Sequence, residues 1–343
     1  MDRRKTKSMV VTYTEGKLYP LTINYFNTYL RAYLDTLPET NYNATLPGKS
    51  PTMTLAKLLL GFCFSIGVVL TSSAAQVDTL EIASTVMQKK LKAVVITPAG
   101  YKKSKTSYPV LYLLHGGSGG YKDWLSKTPD KTVVHRLADQ YKIIIVTPEG
   151  GATSYYFDSP LDKTSQYETF ISKELVQKID ESYRTIRDKN GRVIAGLSMG
   201  GHGALYIGTR HADLYCAAGS MSGVMNINTA TWKVPAEFAT LRREGLAKLL
   251  GPPQDGEHPY PEYTLVSMIN QVKSSGLKII VDCGVDDFLI DTNRDFHQKL
   301  LETETPHDYI ERPGSHTWDY WENALAYQML FFQKVLQTNG SLK

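Results

Sequence analysis

Cysteine is scarce in this chain, with three in 343 residues: Cys63, Cys216 and Cys283. So few cannot staple a disulfide scaffold, and no Cys or His spacing matches a metal site. Long apolar runs are scarce as well. The one that stands out is the uncharged segment 58–70, shorter than the roughly 20 residues that a bilayer span requires. No internal repeat or low-complexity tract is present, which excludes solenoids and arrays. A one-sided charge is also missing. Lys and Arg number 38 against 34 Asp and Glu, and residues 76–343 hold 30 of each. The basic excess therefore lies in residues 1–75, and it gives no argument for nucleic-acid binding.

What is present divides the chain. Lys57 precedes the apolar segment and Ser73-Ala74-Ala75 follows it, the order of charged region, apolar region and small-residue cleavage site found in an export signal. Phe62 before Cys63 fits a lipoprotein site poorly, so cleavage after Ala75 is expected. Met53 then reads as the start, with residues 1–52 an upstream extension outside the mature protein. Residues 53–75 are the expected signal peptide and 76–343 the expected catalytic domain, secreted or periplasmic and with no membrane span after cleavage. That length suits one large core.

Strand-like and helix-like runs alternate through this domain. Residues 91–98, 110–114, 142–147, 217–221, 278–283 and 308–312 read as strands, as does the apolar run 193–195. Residues 125–140, 167–183, 200–211 and 318–337 read as helices. The pattern predicts an α/β fold, a mostly parallel central sheet with helices on both faces. Cys216 and Cys283 both fall in apolar runs and read as buried free thiols. The Pro-punctuated stretch 226–275 is longer than a crossover requires and reads either as a helical insertion beside the functional site or as packing alone.

The most informative residues are Gly196-Leu197-Ser198-Met199-Gly200, directly after the apolar Val193-Ile194-Ala195. A strand that ends in Gly-x-Ser-x-Gly and turns into a helix is the nucleophile elbow of the α/β-hydrolase fold. The turn is tight, so the flanking positions must be small. Ser198 is held exposed as a candidate nucleophile, and the Met199 N–H points where an oxyanion would form. A serine hydroxyl needs a base, and the base needs an orienting carboxylate. In this fold the chain order is Ser, then acid, then His. Asp286 and Asp287 both follow the strand 278–283, and His316 follows the strand 308–312. His202 is too close to Ser198 to act as base, and His135, His211, His258, His297 and His307 lack a strand-end position. His115-Gly116-Gly117 ends another strand, where a backbone N–H would supply the second oxyanion donor. Gly117 is the first candidate and Gly116 the next. No cofactor is expected.

Five segments carry a wider resemblance: 108–124, 167–183, 192–205, 283–291 and 313–321. On these the chain resembles the bacterial esterase family of α/β-hydrolases that includes esterase D (S-formylglutathione hydrolase), tributyrin esterases, feruloyl esterase modules and mycolyltransferases. It is most similar to the tributyrin and feruloyl members. The resemblance implies Asp287 rather than Asp286 as the acid, and Gly117 as an oxyanion donor. It implies a serine carboxylesterase whose substrates are small-molecule or carbohydrate esters, acetyl or feruloyl groups above all. An acyltransferase with the same triad, or a thioesterase like S-formylglutathione hydrolase, is the alternative. A binding module on a dead hydrolase fold is disfavoured by the intact Ser198, Asp287 and His316.

Overall fold

The computed structural model describes residues 74–342. The expectations for residues 1–52, and for the signal-like segment as far as residue 73, lie outside the described residues. Eight strands form one sheet: β1 (Gln76–Ser84), β2 (Lys89–Thr97), β3 (Val110–Leu114), β4 (Ile144–Pro148), β5 (Arg192–Leu197), β6 (Ala217–Met221), β7 (Lys278–Gly284) and β8 (His307–Arg312). Their order is β1-β2-β4-β3-β5-β6-β7-β8. From β4 to β8 every neighbouring pair is parallel, while β1 and β2 form an antiparallel hairpin and β2 pairs antiparallel with β4. The fold is therefore the expected α/β-hydrolase architecture.

Helices cover both faces: α1 (Asp123–Ser126), α2 (Val133–Tyr141), α3 (167–182), α4 (Met199–Arg210), α5 (Ala236–Leu250), α6 (Ile269–Ser275), α7 (Ile290–Glu302) and α8 (Trp318–Thr338). The central strands β3 to β6 are buried along their whole length and mostly apolar because neither face meets water. Successive side chains go to opposite sides. Val95, Tyr112, Val146 and Ile194 join Phe170, Leu205, Val272 and Phe296 on one face. Val94, Leu111, Leu113 and Val193 join Leu137, Leu325 and Phe332 on the other. Each fully buried apolar side chain of this size contributes about 1.5–3 kcal/mol.

Four local expectations need correction. The strand β1 was not expected. It lies at the sheet edge and most of its residues are exposed, so it carries no apolar signature. The expected helix 125–140 is instead two helices, because Pro129 lies between them; a proline lacks the N–H that an interior helical position donates. Asp130 then accepts from the Thr132 N–H and hydroxyl at 2.8 and 2.6 Å, opening the second helix. The middle of α3, Phe170–Leu175, is π-helical. Cys283 is buried as expected, but Cys216 is only partly buried and precedes β6 rather than lying in it. Both thiols are free.

Candidate active site

The elbow follows from sterics. Ser198 sits between β5 and α4 with φ 54° and ψ −117°, a conformation disfavoured for any residue with a Cβ and maintained only by its surroundings. A Cβ on Gly196 would strike the Gly200 backbone, and one on Gly200 would lie 2.5 Å from the His115 carbonyl oxygen. Both positions must therefore be glycine. The Ser198 N–H donates to the Met221 carbonyl at 2.9 Å, and its own carbonyl accepts from His202 and Val224. The turn is thus tied to β6 and to the first turn of α4.

Three strand ends bring the remaining groups together. The Asp287 loop follows β7 and the His316 loop follows β8. The Asp286 N–H donates to the Gly314 carbonyl at 2.9 Å and clamps the two loops to each other. Gly284 allows the approach, since a Cβ there would run into the Gly314 carbonyl. The Asp287 carboxylate is buried, 1% exposed. Its Oδ2 and Oδ1 lie 2.8 and 3.0 Å from His316 Nδ1, and Oδ1 also accepts from the Leu289 N–H at 2.9 Å. His316 Nε2 lies 2.9 Å from Ser198 Oγ. The imidazole is fixed between two rings, Phe288 at 4.4 Å and Trp321 at 4.8 Å between centroids. Asp286 is exposed and its side chain takes no part in this series. Of the two neighbouring carboxylates, the structure brings Asp287 and not Asp286 to His316.

The His115-Gly116-Gly117 loop is pinned from beneath. His115 Nδ1–H donates to the Gly116 carbonyl at 2.8 Å, and Nε2 accepts from the Gly150 N–H at 2.9 Å. Tyr156 donates its hydroxyl to the His115 carbonyl at 3.0 Å. Tyr155 and Tyr156 hold φ at 50° and 62°, a costly conformation for aromatic residues that sends one ring into the cavity and the other under His115. Ser118 and Gly119 donate to the carbonyls of Ala152 and Gly116. The Gly117 N–H has no acceptor among the described residues. Met199 opens α4, where the first N–H groups lack intrahelical partners. Gly117, Gly116 and Met199 line the same cavity as Ser198.

That cavity holds about 340 Å³. Its walls are largely aromatic, from Tyr155, Trp232, Phe238, Phe288, Trp318 and Trp321. Trp232 and Phe238 come from the insertion 226–275, which therefore lies beside the site as expected. These aromatic residues were not singled out from sequence, although Phe288 and Trp318 flank the acid and base motifs. Among the described residues, no group of three or more His, Cys, Asp or Glu is placed to hold a metal ion, and no helix is long and apolar enough to cross a membrane.

Known proteins resemble this chain in sequence and in fold. Residues 84–332 match the Esterase family, described as "Putative esterase". An acetyl esterase of Caldicellulosiruptor saccharolyticus is 27% identical over 246 residues, covering 66% of this chain and 83% of that protein. The diacylglycerol acyltransferase/mycolyltransferase Ag85B of Mycolicibacterium smegmatis is 25% identical over 219 residues, covering 56% of this chain and 67% of that one. A solved ferulic acid esterase is 32% identical, with a TM-score of 0.63 over 76% of this chain and 99% of its own. The chain belongs to the Esterase family of α/β-hydrolases and is a carboxylic ester hydrolase.

Proposed function

We propose that this protein is an exported serine esterase acting on acyl esters of carbohydrates or phenolic acids, with acetyl and feruloyl esters as the lead class. Ser198 is the nucleophile, His316 the base, and Asp287 the group that orients it. The observation that carries the reading is the unbroken series Asp287–His316–Ser198, at 2.8 and 2.9 Å. His316 Nε2 takes the Ser198 proton as Oγ attacks the ester carbonyl. The Gly117 and Met199 N–H groups receive the oxyanion. Collapse breaks the bond to the alcohol, which leaves with the proton from Nε2. Water then attacks the acyl-enzyme by the same route and releases the acid. No metal or cofactor enters any step.

The substrate class rests on the relatives' chemistry, an acetyl esterase and a ferulic acid esterase, and on the aromatic walls, which suit a phenolic ring. Export rests on the signal-like residues 53–75. An acyltransferase reading is favoured by the mycolyltransferase relative; there an alcohol replaces water in the second half-reaction. The test is a screen of the purified protein against aryl acetates, methyl ferulate and acetylated xylan, with and without an added alcohol. Fluorophosphonate labelling runs beside it. Ser198→Ala should abolish labelling and reduce turnover by several orders of magnitude. Turnover or labelling that survives in this variant refutes the nucleophile assignment. A transesterified product that outcompetes hydrolysis would establish the acyltransferase.

A further inference from the structure

The cavity over Ser198 contains one charge that nothing balances. Arg242, on α5 in the insertion, lines the cavity. It makes no ion pair and no hydrogen bond among the described residues. By contrast Arg136, Arg192, Arg210, Arg294 and Arg312 each face a carboxylate. The other charged lining pair, Asp123 and Lys127, neutralise each other at 2.9 Å. The Asp287 carboxylate is turned away beneath the His316 ring and spent on its Nδ1.

The guanidinium is not adrift. It stacks 4.9 Å from the centroid of Phe238, one helical turn before it on α5, and Phe238 packs against Phe288, which touches His316. A Cβ on Gly117 would lie 3.6 Å from Arg242 Nη1. The head group therefore stands beside the loop offered as oxyanion donor, within a few bonds of any ester carbonyl held there. Tyr155 lines the same cavity, and its hydroxyl has no partner among the described residues. Burial pushes that phenol up to about 12, against the pull of Arg242, so it remains a donor.

A partly buried guanidinium with no acceptor, held on a ring beside the reacting centre, costs desolvation that an anionic ligand would return. We propose that Arg242, with the Tyr155 hydroxyl, selects ester substrates that carry a carboxylate a few bonds from the scissile ester. The proposal rests on the serine-esterase reading of the same site. The carboxylate belongs either to the acyl part, as in a dicarboxylic half-ester, or to the alcohol part, as in an acylated acid. Its chemistry toward Arg242 is the same in both.

Two substrate pairs test it on the full chain. For the acyl part, 1-naphthyl hemiglutarate is compared with 1-naphthyl pentanoate. For the alcohol part, 4-acetoxybenzoate is compared with its methyl ester. The readout is the ratio of kcat/KM, anionic over neutral. Replacing a charge-assisted contact typically costs about 10–100-fold. Arg242→Gln should lower the ratio by that factor in at least one pair, and the pair that moves locates the carboxylate. Arg242→Lys should retain part of it, because a point charge remains without the fork. About 0.5 M salt should shrink the wild-type ratio. Thermal midpoints check that both variants fold. Equal ratios in the wild type and in Arg242→Gln, for both pairs, overturn the proposal while leaving the esterase reading standing. If neither the anionic nor the neutral esters are cleaved, or if both are cleaved equally by Ser198→Ala, the esterase reading fails and this inference falls with it.

Discussion

Asp286→Asn and Asp287→Asn are one-atom changes at adjacent residues, yet their expected effects differ by orders of magnitude. Asp287 has two acceptor oxygens in use. Oδ1 takes the Leu289 N–H at 2.9 Å, and Oδ2 stands 2.8 Å from His316 Nδ1. An asparagine that keeps the Leu289 bond must place its NH₂ group at the Oδ2 position. That group donates to Nδ1, so Nδ1 must lose its proton and the ring N–H moves to Nε2. Nε2 then faces Ser198 Oγ, 2.9 Å away, as a donor and can no longer accept the serine proton. The fold is retained, because shape and the Leu289 contact are unchanged. A loss on the order of 10⁴ in kcat is the known size of such a tautomer error in another serine hydrolase. At Asp286 the loop clamp uses the backbone N–H to Gly314, which the substitution leaves in place, so activity should stay within about tenfold. Side-by-side kcat/KM on an aryl acetate, with circular dichroism and thermal midpoints as fold controls, decides it. A crippled Asp286→Asn beside a mild Asp287→Asn would refute the reasoning.

Three further outcomes are expected. Gly200→Ala should destabilise by about 1–3 kcal/mol through overpacking and reduce turnover, since its Cβ would press on the His115 and Leu114 carbonyls that carry the oxyanion loop; unchanged activity and an unchanged thermal midpoint would contradict the steric account. Burial holds the His202 imidazole down to about 4, from an ordinary 6.5, so the unfolded chain binds that proton more readily and stability is lost as pH falls from about 6.5 to about 4, for about 3 kcal/mol in all. Urea midpoints at pH 7.5 and 4.5 should therefore converge between wild type and His202→Gln at the lower pH, and parallel curves would count against the assignment. N-terminal sequencing of the exported protein should find a start near Gln76, and a chain that retains residues before Met53 would defeat the reading of residues 1–75.

The sequence by itself determined the sheet, because parallel strands covered on both faces need apolar runs at their centres, and 110–114, 193–195 and 279–281 are such runs. It determined the elbow, because a turn that tight admits only glycine at 196 and 200. It also determined the order of the serine, the acidic pair and His316 along the chain. Between Asp286 and Asp287 the residues themselves left both open and only the family resemblance favoured Asp287; adjacent residues leaving a strand point different ways, and the seating of β7 against β8 brings the Asp287 carboxylate to the ring. The edge strand β1 was not legible, because an edge need not be apolar and its ladder to β2 is held by backbone bonds that leave no side-chain pattern. Nor was Arg242. An arginine on a charged helix reads as solvated charge, and only the tertiary structure sets its head group in the cavity beside Gly117 with no acid to meet it.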